Sequence, residues 1–331
     1  MGKKKIIALI VTVVLLGLIF YKINWTQLIQ TFKDFDFKNI GYIIPLYVST
    51  LYIRGIRWKA MLLNDKKYSS LHLGEVFTVG SMLNVFLPAR AGDLYRAYYL
   101  GCVKEEKKMK VFGSIILERT FDGICVFMIL FAAIFLYCKQ QWILNLSYGI
   151  GALFIGSLIF FYILFKFNKV DWVCNKLSVF ASKFPEKIAA VLNSFIEKIC
   201  RHANSFVEGF GVLDSFKYTS IVFITSLIIW GIECVVAYLI LDSFSLGLGF
   251  SASLFVISLI SFSTMIPSTS VFLGPYQVAY IMALGIFGVG KSTALAVSTV
   301  HQAILMIILT VIGGYYLLKF NISMKDVKTQ K

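Results

Sequence analysis

The sequence has few acidic residues, few cysteines and little length outside apolar runs. It contains 17 acidic residues but 32 lysines and arginines. None of the six cysteines shows a C-x-x-C or other metal-binding spacing, so a structural zinc site is excluded. We expect the cysteines to be small buried hydrophobic residues, and we expect no metal and no other cofactor. They lie at positions 102, 125, 138, 174, 200 and 234.

The composition excludes a soluble domain, because 58% of the residues are hydrophobic. Apolar runs that could cross a membrane lie near 6–21, 40–60, 111–137, 141–165, 218–241 and 294–318. Two further runs, 76–97 and 251–290, are interrupted. The first run follows three lysines, but no small-residue cleavage site comes after it, so we interpret it as a retained helix. The sequence predicts an all-α polytopic membrane protein with about six full crossings and two broken or re-entrant segments.

The net charge of +15 would be typical of a nucleic-acid-binding protein if the cations were clustered on a soluble domain. They are instead distributed by side of the membrane. With a cytoplasmic N-terminus and each broken segment returning to its own side, 26 of the 32 cations are inside and 5 are outside. This positive-inside bias predicts a multi-pass protein of the cytoplasmic membrane with both termini in the cytoplasm. We expect no nucleic-acid partner.

The chain divides into two halves joined by a polar stretch. Residues 1–138 form the first half, with its broken segment at 76–97. Residues 139–165 are the first helix of the second half, and 218–331 are the rest of it, with the broken segment 251–290. The connecting residues 166–217 show apolar positions at helical spacing after Pro185, which predicts a cytoplasmic amphipathic helix that either lies at the interface or packs under the bundle. The first broken segment opens from the inside and the second from the outside, as in an inverted repeat. Alternatively, the limbs 251–266 and 275–290 of the second segment both cross fully.

The first broken segment resembles a known family. The pattern Leu83-Asn84-x-x-Leu87-Pro88-x-Arg90-x-Gly92-Asp93-x-x-Arg96, followed by Leu117-Glu118-Arg119-x-x-Asp122, is similar to the signature of the lysylphosphatidylglycerol synthase transmembrane family. These are flippase-like membrane domains, found alone or fused to an aminoacyl-lipid synthase. In the second broken segment, Pro267 and Gly274 match the family, whereas Gln277 stands where family members carry an acid.

Arginines are suited to binding a phosphate, because the guanidinium group is a planar fork of donors that stays charged when partly desolvated. We therefore expect Arg90 and Arg96 to bind a lipid phosphate, with Asp93 pairing one of them. Arg54 and Arg57 either add to this basic pocket or anchor the cytoplasmic end of their helix. The broken segments themselves are marked by Asn84, Pro88, Gly92, Pro267, Gly274 and Gln277.

Several polar residues fall inside the predicted crossings. Glu118 and Asp122 are four residues apart and share a helix face. With Arg119, they form either structural ion pairs or a proton-coupling group. Glu233 and His301 either line a polar path or make single hydrogen bonds in the core.

Gly285 to Ser292 fits the G-x-x-x-x-G-K-S pattern of nucleotide hydrolases. That loop must follow a β-strand, whereas this segment joins two apolar runs, so we interpret the match as chance.

The expected function is translocation of a phosphate-bearing lipid, either an aminoacyl-phosphatidylglycerol or a polyprenyl-phosphate-linked lipid. The alternatives are a membrane component of lysylphosphatidylglycerol synthesis, and a small-solute carrier or accessory protein of envelope polymer synthesis. The longest soluble stretch is 166–217, so we do not expect this chain alone to catalyse aminoacyl transfer. The expected partners are anionic phospholipid or polyprenyl phosphate, and possible protein partners are a separate aminoacyl-lipid synthase or a glycosyltransferase.

Overall fold

A computed structural model describes residues 26, 30, 33–63, 66–87, 90–103, 106–137, 141–167, 169–182, 186–264 and 274–320. These residues form eleven α-helices and no β-strand. The helices are α1 (Ile40–Met61), α2 (Ser70–Phe86), α3 (Ala91–Val103), α4 (Lys108–Tyr137), α5 (Gln141–Lys166), α6 (Lys169–Ala181), α7 (Glu186–Glu208), α8 (Phe216–Asp242), α9 (Phe250–Ser263), α10 (Pro275–Gly285) and α11 (Lys291–Lys319). The predicted first crossing at 6–21, together with Pro88 and Pro267, lies outside the described residues.

Three of the described helices are long and apolar enough to cross a membrane by length and composition: α5 over Ser147–Lys166, α8 and α11. Helices α1 and α4 have 22 and 30 residues, or about 33 and 45 Å at 1.5 Å per residue. They are long enough to cross as well, but they carry charged residues. The charged residues away from the helix ends, such as Arg57, Glu118 and Asp122, are buried in the protein interior, where charged side chains of membrane helices are normally found. The predicted all-α polytopic membrane fold is confirmed.

The two broken segments form two helical hairpins. In the first hairpin α2 packs against α3, and in the second α9 packs against α10. The four limbs have 17, 13, 14 and 11 residues, which gives lengths of about 17–26 Å. All four are shorter than the roughly 30 Å of a bilayer core. Both segments therefore have the dimensions of re-entrant hairpins.

Local sequence explains where the hairpins turn. Helix α2 ends at Phe86, and Leu87 is extended, as sterics require of a residue that precedes proline. Helix α10 begins at Pro275, directly after Gly274, whose φ of 95° is open to glycine but not to most other residues. The segment from Gly285 to Ser292 joins α10 to α11 with no preceding strand, so it does not have the structure of a nucleotide-binding loop.

Two apolar cores lie at opposite ends of the bundle. One surrounds the first hairpin and includes Trp58 of α1 and Ile115 of α4. The other surrounds the second hairpin and includes Ile43 of α1 and Leu130 of α4. Because α1, α4 and α8 contribute to both cores, their middle turns pass between the two hairpins. Four of the seven buried arginines and carboxylates among the described residues lie on these three helices: Arg57, Glu118, Asp122 and Glu233.

The polar stretch 166–217 is largely helical, and α6 packs against α7. Cys174 and Cys200 form a disulfide that joins the two helices. The prediction of small buried cysteines is wrong for this pair, because the two helices fold back on each other and bring together residues 26 positions apart. It is also wrong for Cys102, which is exposed, but it is correct for Cys125 and Cys234. Cys138 lies outside the described residues.

Candidate functional site

Five arginines and four carboxylates meet between the two hairpins. Helices α1, α3, α4 and α8 supply eight of them, and Arg90 lies immediately before α3. The arginines carry five positive charges and the carboxylates four negative ones, so the group as a whole has an excess of one positive charge. The members are Arg54, Arg57, Arg90, Asp93, Arg96, Glu118, Arg119, Asp122 and Glu233.

Arg57 is at the centre of this group and has no exposed surface. One of its guanidinium nitrogens donates to Asp122 at 2.5 Å, and the other donates to Glu118 at 2.9 Å. It also donates to the Ser226 hydroxyl at 3.0 Å. A buried charge is tolerated only with such partners. Arg57 therefore ties α1 to α4 and α8.

Arg96 is also fully buried. It donates to the second oxygen of Glu118 at 2.7 Å, so Glu118 bridges Arg57 and Arg96. The Arg96 guanidinium lies 4.2 Å from the ring centre of Trp58 and 4.6 Å from that of Phe77. These are cation–π contacts. The surroundings of Arg96 are therefore filled by the protein's own side chains.

Asp93 connects the first hairpin to α4. It accepts a hydrogen bond from Arg119 at 3.1 Å and another from the Asn84 side chain at 3.1 Å. Asn84 in turn accepts from the backbone N–H of Asp93 at 3.2 Å. Gly92 permits this close approach, because a β-carbon there would collide with the Gly80 carbonyl and lie 2.8 Å from the Asn84 oxygen. Asn84 and Gly92 thus hold the two limbs together.

Glu233 of α8 belongs to the same group through Arg54, which it binds at 3.2 Å. The Trp230 indole on the same helix donates to Asp122 at 2.9 Å. Glu118 and Asp122 share one face of α4, as their spacing predicts. Their partners include Arg57 of α1, 65 positions away from Asp122.

Arg90 differs from the other four arginines. Among the described residues, no carboxylate lies within 4.0 Å of it. It donates instead to the backbone carbonyl of Thr264 at 3.1 Å, where the C-terminal end of α9 meets the first hairpin. Its φ of 53° is rare for a residue other than glycine and costs on the order of 1 kcal/mol. Arg90 is therefore a strained cation, with one carbonyl contact, at the meeting point of the two hairpin tips.

Two cavities of about 200 Å³ each adjoin this meeting point. Both are lined by Tyr47, Arg90, Arg119 and Thr264. The first extends toward the second hairpin, and its further lining residues include Asp122, Trp230, Glu233, Ser261, Tyr276 and His301. The second extends along the first hairpin, past Leu51, Arg54, Phe77, Ser81, Asn84 and Val85.

The second hairpin contributes neutral polar groups. Gln277 accepts from the backbone N–H of Gly274 at 2.8 Å and donates to Gln302 at 2.7 Å. It therefore stabilises the start of α10 without bringing a charge to the site. His301 is fully buried, and its Nδ1 atom is hydrogen-bonded to the Tyr280 hydroxyl.

The structure brings together nearly all of the residues selected from the sequence. Arg90 and Arg54 line a cavity, whereas Arg57 and Arg96 are enclosed by carboxylates and aromatic rings. Sequence reasoning missed Tyr47, Trp230, Thr264 and Tyr276. Aromatic and hydroxyl side chains are common in membrane helices, and no local pattern distinguished these four.

Comparison with known proteins identifies the family of the chain. The model of the lysylphosphatidylglycerol synthase transmembrane region matches residues 5–313. The chain is 25% identical over 256 residues to UPF0104 membrane protein MJ1078 of Methanocaldococcus jannaschii, which covers 75% of this chain and 99% of that protein. It is 30% identical over 116 residues to glycosyltransferase AglD of Haloferax volcanii, which covers 34% of this chain and 18% of that protein. No solved structure matches.

The range matched by the family model includes all the residues of the charged group. The matched range contains the first hairpin, the charged residues of α4 and the second hairpin. The chain therefore belongs to the family of the lysylphosphatidylglycerol synthase transmembrane region.

Proposed function

We propose that this protein translocates a phosphate-bearing lipid across the cytoplasmic membrane and that Arg90 binds the phosphate. The observation that carries the proposal is the pairing pattern. Four of the five arginines are held by carboxylates, whereas Arg90 lines both cavities and, among the described residues, bonds only to a backbone carbonyl. A charge in this position gains most from an anionic ligand.

The excess of one positive charge supports the same conclusion. A phosphodiester carries one negative charge, so binding it would neutralise the group without separating any existing ion pair. Arg119 is the second guanidinium that lines both cavities, and its side chain keeps 26% of its surface exposed. It is placed to assist Arg90. Arg57 and Arg96, with no exposed surface, hold the helices in position instead.

The two hairpins provide a means of moving the lipid. Their tips meet at the Arg90–Thr264 hydrogen bond, and the sequence predicts that they enter from opposite sides of the membrane. Separation of one tip from its surroundings would open the phosphate site to one leaflet, and separation of the other would open it to the opposite leaflet. Sites between inverted repeats are typical of alternating access.

Two lipid classes fit this chemistry. The family match favours an aminoacyl-phosphatidylglycerol, while the similarity to part of glycosyltransferase AglD favours a polyprenyl-phosphate-linked lipid. In the second case the protein would act as a membrane component beside a glycosyltransferase. Both classes share the phosphate.

The test is lipid movement in reconstituted vesicles. Purified protein is placed in vesicles that contain a tail-labelled aminoacyl-phosphatidylglycerol or a tail-labelled polyprenyl phosphate, and the transfer of label between leaflets is followed. We expect the wild-type protein to accelerate transfer of one of the two. Arg90→Ala should slow that transfer about ten- to hundredfold, because a hydrogen bond to a charged group contributes roughly 1.5–3 kcal/mol.

Arg201→Ala is the matched control. It removes an arginine from the exposed surface of α7, where Arg201 forms an ion pair with Glu197 at 2.8 Å. It should leave the rate unchanged. Wild-type protein that moves neither lipid faster than empty vesicles would contradict the proposal, as would an Arg90→Ala protein with the wild-type rate.

A further inference from the structure

Besides its charged side chains, which include Glu233, the first cavity is lined by two polar, uncharged side chains. These are Tyr276 of α10 and His301 of α11, which form one wall. Both residues are more than nine-tenths buried, with 7% and 0% of their surface exposed. Both belong to the second half of the chain, whereas Arg90, Arg119 and Asp122 belong to the first.

Each of these two side chains has a polar atom without a partner among the described residues. The atoms are the hydroxyl of Tyr276 and the Nε2 atom of His301. Leaving a buried polar group unpaired costs about 1–3 kcal/mol, so such groups are uncommon in folded proteins. Two of them on one wall of one cavity are the mark of a surface that binds a polar ligand.

The orientation of the His301 ring is fixed by its contacts with neighbouring tyrosines. Its Nδ1 atom is hydrogen-bonded to the Tyr280 hydroxyl, and its ring lies against the rings of Tyr276 and Tyr280 with centroid distances of 6.2 and 5.8 Å. Nε2 therefore remains as the ring nitrogen available to the cavity. A neutral imidazole presents either a donor or an acceptor at Nε2, and a tyrosine hydroxyl presents both.

We propose that Tyr276 and His301 form a subsite for a hydroxyl-bearing part of the lipid head group. Hydroxyl groups both donate and accept, so they match the pair of groups on this wall in either histidine tautomer. A glycerol or a sugar attached to the phosphate would supply them. This inference rests on the proposed function: Arg90 binds the phosphate, and Tyr276 and His301 select the head group attached to that phosphate.

The experiment compares pairs of lipids in which one member carries hydroxyl groups on its head group and the other carries none. One pair is phosphatidylglycerol and phosphatidylpropanol, which carry the same phosphodiester charge and the same number of head-group carbons. The other pair is a polyprenyl phosphosugar and the corresponding methyl phosphodiester. All are tail-labelled and tested in the vesicle assay with the full chain. The quantity measured is the ratio of the transfer rates within each pair.

We expect wild-type protein to prefer the hydroxyl-bearing member of at least one pair. Tyr276→Phe removes only the hydroxyl and should lower that ratio about three- to tenfold, and His301→Phe should lower it similarly. Tyr95→Phe is the matched control, because Tyr95 also has a buried unpartnered hydroxyl among the described residues but does not line the first cavity. It should leave the ratio unchanged.

The outcomes separate this inference from the proposed function. Wild-type protein that moves both members of each pair equally, or a Tyr276→Phe protein with an unchanged ratio, overturns the subsite and leaves phosphate-lipid translocation standing. Because Tyr276→Phe conserves the ring, this result remains decisive even if the His301→Phe protein does not fold. Wild-type protein that moves no member of either pair overturns the subsite, and it overturns the proposed function as well if the same protein also moves neither aminoacyl-phosphatidylglycerol nor polyprenyl phosphate faster than empty vesicles.

Discussion

The two hairpins have similar lengths and different chemistry. The first is held in place by ion pairs: Asp93 and Arg96 of its second limb pair with Arg119 and Glu118 of α4. Asn84 of its first limb donates a hydrogen bond to Asp93 of its second limb. The second is fixed by apolar packing and by neutral hydrogen bonds such as that from Gln277 to Gln302. The comparison shows that all five arginines of the charged group lie in the first half of the chain. Under the proposed function, the second half would provide selectivity and movement.

This difference predicts unequal costs when each hairpin's polar contacts are removed. Arg96→Met, on the second limb of the first hairpin, removes one of the two arginines bound to the buried carboxylate Glu118, and the loss of one member of a buried ion pair costs about 3–5 kcal/mol. Gln277→Ala removes neutral hydrogen bonds, for which about 1–2 kcal/mol is expected. Thermal unfolding of the detergent-solubilised proteins should show a much larger decrease in Tm for Arg96→Met. Equal decreases would contradict the division into a charged and a neutral hairpin.

A smaller effect concerns how tightly each hairpin closes. Gly92→Ala places a β-carbon against the Gly80 carbonyl, so the limbs of the first hairpin must separate, at a cost of about 1–3 kcal/mol. Gly285→Ala in α10 meets no atom within 4 Å and should be nearly neutral. The two Tm values measure this directly. Gly92→Ala protein as stable as wild type would show that the limbs do not need their close contact.

The sequence was sufficient to predict the long apolar helices and the break of the first segment. Long apolar runs gave α5, α8 and α11, and Pro88 marked the end of α2, because these features depend on local sterics and on burial in lipid. The charged motif from Arg90 to Arg96 also indicated the site. The sharing of Glu118 by Arg57 and Arg96 was not predictable, because it depends on how their helices pack. Arg57 is 61 positions and Arg96 is 22 positions from Glu118 in the chain.

Other features depend on packing alone. The contact between Arg90 and Thr264 joins residues 174 positions apart, and no local signal in the segment around Thr264 indicates it. The Cys174–Cys200 disulfide likewise depends on how α6 folds back on α7. The predicted orientation in the membrane rests on the distribution of cations and stays a prediction.

The central claim is that Arg90 is the phosphate-binding cation, and its most direct test is binding of a soluble phosphate-bearing lipid. The affinity of the detergent-solubilised protein for dihexanoylphosphatidylglycerol is measured by calorimetric titration for wild type, Arg90→Ala and Arg201→Ala. We predict that Arg90→Ala weakens binding about ten- to hundredfold, while Arg201→Ala binds like wild type. An Arg90→Ala protein that binds the lipid as tightly as wild type would contradict the claim.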